Sequence, residues 1–296
     1  MGTLRTGALT RRRVGTPAAD LEYAVLDVET TGLDPREGAR LVEIAVVRVR
    51  GDGRIVDEFS TLVDPRAPIG GREFHGIGES DVLGAPRAEE IVPRIARLLS
   101  GAVVVGHNLD FEERFLASEL VPAGLPEGQS GLCTLRALRS QLDLARYSLP
   151  RASYLLSGDW PTGQHTALGD ARACAKLLVE MIGNAPGELR YTGPAPRFLQ
   201  GDAPEETPVR WKPRTTSGAG GWAPRGSWSA RWRPRELDAR LCGGAFRDAE
   251  REAAEQAARR ETLVRERWAL AAGLTGGVAA TVAGGLLLRM AGAVRG

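Results

Sequence analysis

Cysteine is scarce: Cys133, Cys174 and Cys242 are the only three in 296 residues, and no two form a C-x-x-C pair. That spacing indicates neither a zinc knuckle nor a disulfide framework, and a reducing cytoplasm is the expected setting. Lysine is nearly absent, with Lys176 and Lys212 alone among 39 basic residues. A genome-wide coding bias accounts for this as well as selection for phosphate contacts does, so it carries no functional weight. An excess of charge of one sign is also missing, since the formal net charge is +2. Bulk electrostatics therefore identifies no partner, and any such function must reside in a local patch or a site. The first 20 residues carry Arg5, Arg11, Arg12 and Arg13 but no apolar run long enough for a secretory signal. Residues 1–20 read as a flexible basic arm, and export is not expected.

What is present is ordinary globular usage, 43% hydrophobic and 26% charged, which excludes a wholly disordered, collagenous or multi-span membrane chain. The length suits one catalytic-sized domain with an appendage, or two small domains. Residues 21–185 read as one α/β domain, because apolar strand-like runs alternate with helical periodicity. Leu21 to Val28 is a buried strand, and Leu41 to Arg50 is rich in β-branched residues. The Gly51-Asp52-Gly53 turn then joins a third, antiparallel strand, so a meander opens the sheet. Ala88 to Leu99 has helical spacing, and Ala102-Val103-Val104-Val105 fits a short strand covered on both faces. A helix follows, with Leu109, Phe111, Phe115, Leu116 and Leu120 at helical intervals, and further helices are expected over 134–142, 148–156 and 167–182.

The texture changes at 186–235, where eight prolines punctuate a stretch without apolar periodicity. Between Arg190 and Arg235 nine basic residues face three acidic ones, interleaved with Trp211, Trp222, Trp228 and Trp232. Such a segment could stack on and neutralise single-stranded nucleic acid. A disordered spacer with aromatic stickers explains the composition better in the absence of a folded motif. Residues 236–268 read as a highly charged helix with many i, i+3 and i+4 pairs. The segment 269–290 is apolar, rich in Gly and Ala, and long enough to span a bilayer at roughly 20 residues per crossing. A single C-terminal anchor holding the domain at the inner face of the cell membrane is one reading of it. A low-complexity tail or a buried packing helix are the others.

Asp27-Val28-Glu29 ends the first strand, and strand alternation turns both carboxylates to one face. A D-x-E alone is more often a solvated strand end. Two further acids occur in matching contexts. Asp110 lies in Gly106-His107-Asn108-Leu109-Asp110-Phe111, where a buried strand feeds a helix, and Asp170 opens the last helix of the domain. Asp170 shares a helical stripe with Cys174, Leu177 and Met181, so it looks inward. His165 stands five residues ahead of it, too far round to share a helical face. The histidine therefore belongs to the entering loop, from which it can reach over a carboxylate cluster and act as a base toward water.

Asp27-x-Glu29-Thr30-Thr31-Gly32, the Gly106-His107-Asn108 segment with Asp110 and Phe111, and His165 followed by Asp170 occur in order at ordinary separations. Together they resemble the DEDDh, or DnaQ-like, 3′-to-5′ exonuclease family, that of the proofreading epsilon subunit of DNA polymerase III. The loop from Phe74-His75-Gly76-Ile77 to Val82 resembles the family as well, with Gly78 where the family usually has Thr. The resemblance implies an RNase H-like fold: a mixed five-stranded sheet flanked by helices, here extended by the disordered linker and the C-terminal apolar helix. It implies that Asp27, Glu29, Asp110 and Asp170 hold two divalent cations, Mg²⁺ or Mn²⁺ by the hardness of oxygen ligands, with His165 deprotonating or orienting the attacking water. Thr30, Thr31, His75 and Asn108 are expected at the terminal nucleotide. Leu33 and Phe111 either pack on its base or sugar or belong to the core. The expected partners are a single-stranded or frayed 3′ end, DNA ahead of RNA, and a DNA polymerase, with a membrane through 269–290. The competing reading is a non-cleaving nucleic-acid or polymerase-binding module on the same fold.

Overall fold

The apolar runs between Leu21 and Gly106 become the centre of a mixed sheet in the computed structural model, which describes residues 2–199, 208–214 and 230–243. The chain divides into two units, Met1–Cys242 and Gly243–Gly296, and the described residues other than Gly243 belong to the first. It opens with three short strands, β1 (Leu4–Gly7), β2 (Leu9–Thr10) and β3 (Thr16–Pro17), followed by the long strands β4 (Glu22–Thr30), β5 (Leu41–Arg50) and β6 (Ile55–Leu62). Two single-turn helices, α1 (Arg72–His75) and α2 (Glu79–Val82), lead to α3 (Ala88–Leu99), β7 (Val103–Gly106) and α4 (Asp110–Phe115), which continues as a π-helical turn over Leu116–Leu120. Then come β8 (Gln129–Cys133), α5 (Thr134–Gln141), β9 (Leu142–Asp143), α6 (Leu149–Ser157), α7 (Ala167–Gly183), β10 (Arg190–Tyr191) and β11 (Arg231–Trp232).

The large sheet has the order β1-β8-β7-β4-β5-β6. β4, β5 and β6 pair antiparallel as the expected meander, whereas β4–β7, β7–β8 and β8–β1 are parallel. Central β4 and β7 are buried on both faces, with Tyr23 to Leu26 and Val103 to Val105 at 1% exposure or less. This is why they read as continuous rather than alternating apolar runs. Register places Glu29 opposite Glu43 and Asp27 opposite Ala45, and a bulge after Glu29 ends regular pairing. α7 packs across β4 and β5, so its first turn lies over the end of β4 where the acids are.

Three expectations are corrected. The sheet has six strands rather than five, because the arm expected to be flexible pairs β1 with β8 and buries Leu4 and Leu9. The stretch 186–235 is not wholly a spacer. β10 is the middle strand of the small sheet β2-β10-β3, and Leu189, Tyr191 and Leu199 are buried at 1–2%. Residues 208–214 lie along β6, and β11 pairs with β9. Anchors this isolated generate no periodicity, which is why sequence pattern misses them. The start of the expected charged helix, residues 236–242, is instead an irregular strand-following segment with one 3₁₀ turn, Ala239–Leu241. Glu236 there accepts hydrogen bonds from Thr10, Arg11 and Gln141. The rest of 236–268 and all of 269–290 lie outside the described residues. Among the described residues no helix is long and apolar enough to cross a membrane.

Tyr191 fixes the second strand set. Its ring is fully buried and its hydroxyl donates to the Gly131 carbonyl at 3.1 Å. Gly7 and Gly193 approach so closely around it that a Cβ on either would overlap the other's backbone or the Tyr191 ring. Tyr191→Ala should therefore destabilise the domain by about 3–5 kcal/mol, the usual cost of removing a buried aromatic. Chemical denaturation checks this; an unchanged midpoint would mean that 186–199 is a tether after all.

Candidate active site

The end of β4, the start of α7 and the start of α4 meet at one point, and each brings a carboxylate. Asp27 and Glu29, two residues apart on β4, project to the same face. Asp170 enters from the first turn of α7, whose N-cap Thr166 accepts from the Gly169 N–H. One oxygen from each of these three lies within 4.8 Å of the others. Burial pushes the Asp27 pKa well up, and the charges of Asp170, Glu112, Glu29 and Glu43 push it further. Glu29 rises to about 7, first by burial and then by Glu43 and Asp170, with Arg214 pulling it back. Asp170 is raised by burial against the opposing pull of the His165 N–H and the His165 charge. Such shifts mark groups that cannot all ionise together without a compensating cation.

Asp110 does not join them. Its side chain is 53% exposed and forms an ion pair with Arg136. Glu112, two residues on, is the buried acid: residues two apart on a helix point about 200° from one another, so only one of the pair can face inward. Glu112 is 4% exposed, its Oε2 has no hydrogen-bond partner, and burial lifts its pKa to about 8. Gly106 makes room for it, since a Cβ there would stand 3.1 Å from the carboxylate. Helical spacing carries the signal: Glu112 precedes buried Phe115 and Leu116 by three and four residues, on the inward stripe. Glu43 is a further buried acid, outside the sequence motifs. It is 1% exposed, its Oε1 has no hydrogen-bond partner, and its Oε2 accepts from the Ala167 N–H at the start of α7. A carboxylate there complements the helix dipole and sets where α7, and so Asp170, begins.

His165 is exposed on the loop entering α7, with φ of +61°. Its N–H donates to Asp170 Oδ2 at 3.0 Å. The remaining expected contacts divide. Leu33, 80% exposed in the turn after β4, is not core, and Phe111 is half-buried, its ring 5.1 Å from that of Phe115. Asn108 is half-buried at φ +98° where the chain turns into α4. Thr30 donates its hydroxyl to the Gly32 carbonyl, and Thr31 accepts from the Arg40 N–H, so both hold the turn after β4. His75 is corrected. It is 4% exposed, its Nε2 donates to the Gly70 carbonyl and its Nδ1 accepts from the Ile77 N–H, so it folds its own loop and has no nitrogen left for a nucleotide.

A family model described as an exonuclease, RNase T, matches residues 24–178, more than half of the chain and all of these acids. The chain belongs to this exonuclease family. Relatives include a DNA polymerase III epsilon subunit from Aquifex aeolicus, 32% identical over 55% of this chain and 81% of that one. A PolC-type DNA polymerase III from Thermotoga maritima is 35% identical over 55% of this chain but only 12% of its own length. This chain thus spans a small part of the PolC-type polymerases that it matches. A solved exonuclease X, in complex with 5′-overhanging duplex DNA, is 31% identical over 54% of this chain and 90% of that one, with a TM-score of 0.43.

The exonuclease site fits hard divalent cations. Its three converging groups are carboxylates, and Glu112 Oε2 and Glu43 Oε1 are buried without partners. Glu29 and Glu112 titrate at about 7 and about 8 in the fold against 4.5 ordinarily, so between about pH 4.5 and 8 the folded chain binds more protons than the unfolded one. Stability of the metal-free protein therefore falls as pH rises through that window, and a cation bound only by the fold restores it. With EDTA, thermal unfolding should come earlier at pH 8 than at pH 5, and Mg²⁺ should raise the midpoint far more at pH 8. A midpoint indifferent to Mg²⁺ at both pH values contradicts a cation site.

Proposed function

We propose that the domain is a metal-dependent 3′-to-5′ exonuclease that releases nucleoside monophosphates from free 3′ ends, DNA ahead of RNA. The observation that carries this reading is the convergence of Asp27, Glu29 and Asp170 within 4.8 Å, with Glu112 buried behind them. Glu112, rather than the exposed Asp110, is the fourth carboxylate of the site. These carboxylates would hold two divalent cations, which when bound neutralise the scissile phosphate and lower the pKa of the attacking water. His165, on its exposed loop beside Asp170, accepts the proton of that water as its oxygen bonds to phosphorus and the bond from phosphorus to the 3′ oxygen breaks. The released 3′ oxygen takes a proton from solvent. Leu33 offers an exposed apolar surface to the terminal base, and Phe111 a partly exposed ring. The names of the relatives support DNA as substrate and a DNA polymerase as partner. A non-cleaving binding module has no use for a buried acid cluster that costs stability.

A 5′-labelled oligonucleotide with Mg²⁺ should shorten stepwise, while a 3′-labelled one loses its label as mononucleotide at once. Asp27→Ala should abolish cleavage. His165→Ala should keep metal binding and lower the rate by roughly 10²- to 10⁴-fold. Glu112→Gln should lower it by at least about 10²-fold, whereas Asp110→Ala stays within about threefold. The reverse order for Glu112 and Asp110, or wild-type turnover in Asp27→Ala, refutes the assignment.

A further inference from the structure

The acids and His165 all lie inside the family segment, yet one guanidinium at their edge comes from far beyond it. Residues 208–214 return along β6, the edge strand of the sheet. The Leu62 N–H, an edge donor that would otherwise face solvent, bonds the Lys212 carbonyl at 2.9 Å, and the Lys212 N–H donates to Thr61 Oγ1 at 3.0 Å. The Lys212 ammonium reaches the Leu83 carbonyl at 2.8 Å, and Trp211 meets Phe59 edge-on with ring centroids 5.0 Å apart. A strap anchored at this many points delivers its next side chains to a fixed place.

That place is the active-site rim. Arg214 Nη1 donates to the His75 carbonyl at 2.8 Å and lies 3.5 Å from the buried Glu43 carboxylate, while Nη2 donates to the His165 carbonyl at 3.1 Å. One planar fork thus ties three elements: the loop of His75, the strand bearing Glu43, and the loop of His165. His165 needs such a tie, because its φ of +61° is a left-handed conformation that a non-glycine residue holds only when its surroundings impose it. Both sides of the residue are pinned, its N–H by Asp170 and its carbonyl by Arg214. Both terminal nitrogens of Arg214 are directed at protein acceptors, so the group is built to hold the loop rather than to grip a phosphate.

We infer that residues 208–214 are a strap in cis that completes the active site, with Arg214 the positioning residue that fixes the His165 loop over the carboxylates. The inference rests on the exonuclease reading, but it extends the functional unit past residue 178, where the family model ends.

The test uses the full chain, a 3′-labelled single-stranded oligonucleotide and Mg²⁺. Arg214→Ala should lower kcat about 10- to 100-fold with KM within about threefold, the signature of a displaced catalytic group rather than lost substrate binding. Guanidinium ion at millimolar concentration should restore part of the rate, and Arg214→Lys should keep part of it, since one ammonium reaches fewer of the three acceptors. In a His165→Ala background the same Arg214→Ala change should cost less than about twofold, because the group being positioned is gone. Thermal unfolding of each variant confirms that it is folded, and Arg214→Lys serves if Arg214→Ala is not. Full multiplicativity of the two changes, or a folded Arg214→Ala or Arg214→Lys variant with the wild-type kcat, overturns the strap alone. A wild-type chain that does not hydrolyse the oligonucleotide overturns the exonuclease reading and this inference with it.

Discussion

Asp27 feels the charges of four other carboxylates, Asp170, Glu112, Glu29 and Glu43, in a place where burial already disfavours any charge. Like charges a few ångströms apart in a poorly solvated pocket repel by several kcal/mol unless protons or cations intervene. The sheet, the N-terminus of α7 and the inward stripe of α4 hold these groups together against that repulsion. The hydrophobic burial of β4, β5 and β7 is what offsets it. Glu43 shows the economy of the arrangement: the carboxylate that caps α7 also helps to set where Asp170 stands. A cation held in such a pocket would relieve the repulsion that the fold imposes.

The parts of the fold carried by long periodic runs were legible in the sequence. Leu41–Arg50 and Ala88–Leu99 form a strand and a helix with the expected bounds, and α7 begins at Ala167 as the pattern required. β8 is not among the strands legible in the sequence, because Gln129, Ser130 and Gly131 supply no apolar alternation although all are buried. β1 and β10 were hidden for a related reason: a single buried Leu4 or Tyr191 anchors its strand without repeating. In the site, Asp27, Glu29, Asp170 and the loop position of His165 followed from alternation and helical phase. Asp110 and Glu112 lie in the same motif, and only helical phase separates them: Glu112 shares the inward face with Phe115, whereas Asp110 is exposed. Arg214 was invisible because its partners, two main-chain carbonyls and the Glu43 carboxylate, belong to residues far away in sequence.

The tail therefore has a different standing from the one its composition suggests. Proline and arginine punctuate it, but prolines do not prevent docking where the chain runs extended along an edge, and arginines there find carbonyls and carboxylates. Glu236 gathers Thr10, Arg11 and Gln141, and Arg233 bonds Arg139 and Tyr147, so the segment from 231 to 242 closes over α5 much as 208–214 closes over β6. The family segment is the catalytic core, and residues on both sides of it finish its surface.

As a cation site that is partly protonated at neutral pH, the acid cluster must exchange protons for metal. Calorimetric titration of the metal-free chain with Mn²⁺ at pH 7, repeated in two buffers of different ionisation enthalpy, counts the protons displaced on binding. With Glu29 near 7 and Glu112 near 8, binding should be saturable and should release protons to the buffer. Heats that are the same in both buffers, or no binding at all, would contradict it.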